Sequence, residues 1–148
     1  MSPRTRRILQ ALLYEAGAVA FVGPVLAWMF GTPMGSTLAL SLLMSSIALA
    51  WNYVFNALFE RWEARQPVKG RSFARRLAHG TGFEGGLVLF LVPLMAWWLE
   101  TTLLKALLAD LAVLVFFFVY AVGFTWAFDQ LFGLPDSARP QAASPTPP

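Results

Sequence analysis

A chain of 148 residues with 57% hydrophobic and 13% charged side chains is too apolar for an ordinary water-soluble domain, in which charged residues make up about 25%. The absence of cysteine excludes disulfides and thiolate metal sites. A net charge of +3 hints at nucleic acid only until the arginines are placed along the chain, where they mark one side of a membrane.

A helix needs about 20 largely apolar residues to cross a hydrocarbon core ~30 Å thick, and only a helix or a closed barrel satisfies its own backbone polar groups there. The first stretch that qualifies is 8–30. It follows Arg4, Arg6 and Arg7 like a signal peptide, but it is longer than a usual signal core and carries Glu15, so it is expected to be retained. The others are 37–59, 79–98 and 107–128. Long runs without alternation, LVLFLVPLMAWWL and LLADLAVLVFFFVY, exclude the period-2 pattern of barrel strands. The expected fold is an all-α membrane protein with four transmembrane helices. Arg61, Arg65, Lys69, Arg71, Arg75 and Arg76 crowd the connection between the second and third helices, whereas the other two connections hold Lys105 as their only basic residue. The positive-inside rule then places the N-terminus, the middle connection and the C-terminus in the cytoplasm. The tail LPDSARPQAASPTPP has nothing to bury and is expected to be disordered.

The chain also repeats itself. RILQALLYE, beginning at Arg7, aligns with RLAHGTGFE, beginning at Arg76, at an offset of 69 residues. The same offset pairs Pro24 with Pro93, Trp28 with Trp97, Phe55 with Phe124, Phe59 with Phe128 and Glu60 with Asp129. Each copy is a two-helix unit that returns the chain to its starting side, so the copies form a parallel tandem repeat. The expected division is a first hairpin over 1–66, a second over 67–134 and a tail over 135–148. Pro24 and Pro93 remove matching backbone hydrogen bonds, as tolerated kinks or as flexible points for gating.

Several polar residues are out of place in such helices. Glu15 lies eight residues beyond Arg7, which puts it about 12 Å into the helix, and Glu84 repeats the geometry after Arg76. An ionised carboxylate at that depth costs at least ~2.5 kcal/mol, so it must be protonated, paired or facing a water-filled cavity. A proton-coupled site needs such a group. In WNYVFNALFE, Asn52, Asn56 and Glu60 share one helix face, flanked by Trp51 and Phe55. A carboxylate, amides and aromatic faces meeting at one level suit an organic cation.

Each has a structural alternative. Transmembrane asparagines often bond neighbouring helices, and Glu60 and Asp129 lie near the interface, where Arg61 or other loop arginines can pair with them. Phe116 to Phe118 read as lipid-facing or packing surface. His79 reads as an interface residue, since no second histidine or cysteine supports a metal site. No nucleophile and base pair, metal cluster or phosphate loop points to an enzyme, and no cofactor is expected. A non-transporting subunit or stress factor, assembled through its intramembrane polar groups, is the alternative to a transporter.

The four segments RILQALLYE, WNYVFNALFE, RLAHGTGFEGG and YAVGFTWAFD, in order from Arg7 to Asp129, resemble the bacterial transmembrane pair motifs of the proteobacterial antimicrobial compound efflux (PACE) family. The resemblance implies proton-coupled export of amphipathic cations such as chlorhexidine and acriflavine, or of short diamines, from a multi-pass protein of the bacterial inner membrane. It also implies a homodimer whose partners are lipid, protons and small organic cations, with no nucleic acid. The family's helix-1 acid corresponds to Glu15, its paired asparagines to Asn52 and Asn56, and its second-repeat acid to Glu84. Gln10 stands where the first motif has histidine and Tyr14 where it has phenylalanine. The second-repeat counterparts of Asn52 and Asn56 are Ala121 and Thr125, so the substrate site is expected mainly on helices 1 and 2.

Overall fold

The computed structural model describes residues 3–68 and 72–133. Lys69 and Arg71 of the basic connection and the tail from residue 134 onward lie outside the described residues. Four helices follow in order: α1 (Pro3–Phe30), α2 (Met34–Ala64), α3 (Phe73–Trp98) and α4 (Leu103–Phe132). All four are long and apolar enough to span a membrane. They hold 26 to 31 residues each, about 39 to 47 Å at 1.5 Å per residue, and so outrun a ~30 Å hydrocarbon core.

Each helix contains its expected span and continues past it, because local capping rather than the loss of apolar character sets the ends. Ser72 accepts the Arg75 N–H at 3.3 Å, and Thr102 accepts the Lys105 N–H at 3.2 Å. Both are side-chain N-caps. Lys105 therefore sits in the first turn of α4 and not in a connecting loop. Gly31 stops α1 with φ +62°, a conformation that a Cβ disfavours. Pro24 and Pro93 remain inside unbroken helices.

Each helix packs on its neighbours in chain order, and α4 returns to α1. The bundle is thus a closed ring. One end, here the basic end, carries the start of α1, the α2–α3 connection and the end of α4. The other, the hairpin end, carries the two short connections. Toward the hairpin end Val22, Leu26, Leu40, Met44, Leu91, Val92, Met95 and Leu99 form the core with Ala106 and Ala109, and Leu26, Leu40 and Met95 are fully buried. Trp28 and Trp97, 84% and 75% exposed, face outward at matching positions, as in an interfacial aromatic belt. At the basic end Arg6 pairs with Asp129 at 2.6 Å, donates to the Gly133 carbonyl at 2.8 Å and lies 5.0 Å from the centroid of the Phe128 ring. This contact closes the ring between α1 and α4.

Candidate functional site

The apolar core ends at Val22, Met44 and Leu91, which also line the space beyond it. On its basic-end side the four helices separate around a cavity of about 430 Å³. Its wall is mostly aliphatic, with Tyr14, Phe83 and Phe117 as its aromatic members. Three carboxylates interrupt that wall: Glu15 on α1, Glu84 on α3 and Asp110 on α4. Ser45 and Asn52 add polar atoms from α2.

The carboxylates differ in their partners. Glu15 accepts a hydrogen bond from the Ser45 hydroxyl. Glu84 and Asp110 make no hydrogen bond or ion pair with a described residue. They also differ in depth. Glu15 and Glu84 lie eleven or twelve residues from the basic-end starts of their helices, whereas Asp110 lies seven residues from the hairpin-end start of α4, about 10 Å along the axis. The cavity therefore presents carboxyl groups at two levels.

Of the residues expected at the site, Glu15, Asn52 and Glu84 line the cavity. Trp51, Phe55 and Asn56 stand behind its wall. The Trp51 indole N–H donates to the Phe83 carbonyl at 2.9 Å, and its ring lies 5.4 Å from that of Phe55. Phe55 in turn packs edge-on against Phe83, 5.8 Å between centroids, so both aromatics support the wall. Asn56 Nδ2 donates to the Asn52 carbonyl at 2.8 Å and to Asn52 Oδ1 at 2.6 Å, while Asn56 Oδ1 accepts from His79 Nε2 at 2.8 Å. His79 is thus a structural link between α2 and α3. Glu60 is exposed at the basic end, and Asp129 is held by Arg6. Among the described residues no His, Cys, Asp or Glu cluster could hold a metal ion.

Sequence reasoning passed over Asp110 and Ser45. Asp110 interrupts an apolar run in LLADLAVLVFFFVY, which was the available signal, but its counterpart at the repeat offset is Ser41. A search guided by paired acids therefore skips it. Ser45 carries no signal of its own, since a serine is unremarkable in an apolar helix until the facing carboxylate is known.

The profile of the BTP family, described as chlorhexidine efflux transporter, matches residues 2–65 and again 71–134. The short-chain diamines transporter of Vibrio parahaemolyticus is 38% identical over 128 residues, 86% of this chain and 91% of that one. Proteins of the same name from Acinetobacter baylyi and Acinetobacter baumannii are each 31% identical, over 126 and 132 residues, covering 85% of this chain and 89% and 87% of theirs. No solved structure matches significantly. A tandem profile match along nearly all of a four-helix chain, with transporters as its relatives, shows that the protein belongs to the BTP chlorhexidine efflux transporter family, the PACE family.

Proposed function

We propose that this transporter exports organic cations, amphipathic biocides or short diamines, in exchange for protons, and that Glu15 is the carboxyl at which the two compete. The observation that carries the reading is the set of carboxylates on one mostly apolar cavity inside the bundle. Carboxylates so placed need a proton or a cation to offset their desolvation. The cavity volume lies within the ~300 to 1,000 Å³ range of small-ligand sites. The names of the relatives support diamines as cargo.

In this mechanism Glu15 is protonated while the cavity is empty. A cation entering from the basic end displaces that proton and sits between Glu15 and Glu84, with the rings of Tyr14, Phe83 and Phe117 beside it. Asn52, fixed by Asn56, supplies an amide to the bound ammonium group. Asp110 offers the next anionic contact toward the hairpin end, where Leu26, Leu40 and Met95 must part for release. Reprotonation from that side resets the site, and each net charge crossing the membrane contributes ~2.3 kcal/mol per 100 mV. The clustered arginines support an orientation in which the basic end faces the cytoplasm, with the protein in a bacterial inner membrane.

The test is uptake of a fluorescent cation or a radiolabelled diamine into proteoliposomes under an imposed proton gradient. Wild-type protein is expected to move substrate and Glu15→Gln to lose gradient-driven accumulation while folding normally. Accumulation by Glu15→Gln at the wild-type rate would remove Glu15 from the mechanism. No transport by the folded wild type would reject the exporter reading for the cations tried.

A further inference from the structure

The tandem repeat is visible in two hydrogen bonds as well as in the sequence. The Tyr120 hydroxyl on α4 donates to the Tyr14 carbonyl on α1 at 3.0 Å. The Trp51 indole on α2 donates to the Phe83 carbonyl on α3 at 2.9 Å. Both donors and both acceptors are related by the 69-residue offset. Each bond crosses from one repeat to the other, and each acceptor is the residue immediately before a cavity carboxylate, Glu15 in one case and Glu84 in the other.

We propose that Tyr120 and Trp51 are positioning residues, two matched latches through which each repeat holds the acid-bearing turn of the other. This inference rests on the proposed role of the carboxylates and deepens it. A half-buried phenol or indole between two apolar helices needs some acceptor, and several carbonyls along the facing helix could serve. The choice of the carbonyl beside the acid, made twice with two different donor chemistries, is what general packing leaves unexplained. A helix carbonyl can accept a second bond beside its own i+4 partner, so the latch adds a constraint without breaking the helix.

The glycines agree. A Cβ at Gly17 would fall on the Tyr120 hydroxyl, and one at Gly86 would fall on the Trp51 indole. These two positions are again one repeat apart, so each latch has its own glycine clearing its path. Tyr14 and Phe83 themselves face the cavity. A movement of one hairpin against the other that stretched a latch would thus shift an aromatic wall and the following carboxylate together.

The experiment follows carboxyl protonation by infrared spectroscopy on the full chain in bilayers, with each band assigned by its loss in Glu15→Gln or Glu84→Gln. Glu15 faces Tyr14 of its own helix, Ser45 of α2, Tyr120 of α4 and, across the cavity, Asn52, Glu84 and Asp110; Glu84 faces Asn52, Asp110 and Glu15. Tyr120→Phe is expected to displace the Glu15 midpoint by a few tenths of a pH unit up to about one, the ceiling set by one lost hydrogen bond, and to leave Glu84 in place. Trp51→Phe is expected to do the reverse. Gly17→Ala and Gly86→Ala, which displace the donors without deleting them, should reproduce the same selective pattern if a ring deletion fails to fold. Unchanged midpoints, or equal displacement of both acids by either latch, would overturn the proposal. The readout needs no transport, so a wild type that moves no cation would reject the exporter reading while the latches are still decided by their own result.

Discussion

Replacing Asp110 with leucine is expected to raise stability while lowering transport, a split that a structural acid would not give. Asp110 is half-buried on the cavity wall and has no hydrogen bond or ion pair among the described residues. On insertion scales aspartate at a helix centre costs about 2.5 to 3.5 kcal/mol and leucine gains about 0.3 to 0.6. Asp110 sits off-centre beside a polar cavity, so a gain of about 1 to 3 kcal/mol on Asp110→Leu is expected. Unfolding in mixed micelles, followed by circular dichroism, measures that gain. Gradient-driven uptake by the same protein should fall at least about tenfold, equivalent to ~1.4 kcal/mol of lost interaction. A functional role for Asp110 is refuted if the substitution destabilises the protein by about 1 kcal/mol or more, which would mean that the carboxyl is a bonded structural group. It is also refuted if uptake proceeds at the wild-type rate.

Arg6→Gln and Asp129→Asn remove the two halves of a pair whose side chains are 14% and 24% exposed, and a double-mutant cycle should give a coupling of about 1 to 3 kcal/mol in unfolding free energy. A coupling near zero would mean that the contact does not tie α4 to α1. Leu26→Ala hollows the packed layer between the cavity and the hairpin end, and is expected to cost about 2 kcal/mol or more and to raise the passive proton leak of proteoliposomes; an unaltered leak would show that this layer is not the barrier. Asn56→Leu frees Asn52 and His79 together, so substrate affinity measured by equilibrium binding should weaken several-fold while the helical content stays unchanged. Wild-type affinity in that variant would show that Asn52 needs no such support.

Much of the architecture was legible in the residues because a bilayer imposes few choices. Apolar runs of membrane-spanning length had to become helices, and the repeated arginines, acids and prolines at one offset announced two copies of one hairpin. The same pattern marked Glu15 and Glu84, since an acid inside such a helix stands out wherever it points. Asn52 was found by its face, as the inward residue of a polar stripe. The lateral arrangement was not legible, because the sequence gives no measure of which neighbouring helix a side chain meets. Trp51 and Phe55 read as cavity aromatics, yet α2 turns them toward α3, where Trp51 finds the Phe83 carbonyl and leaves Tyr14, Phe83 and Phe117 to face the cavity. Asp110 and Ser45 gained their place in the same way, through helices brought together by a ring closed at Arg6 and Asp129. Hydrophobicity along the chain therefore determined how many times it crosses and where the acids lie in depth. Rotation of each helix about its axis, set by close packing at Gly17 and Gly86 and by bonds between helices, decided which side chains share one cavity.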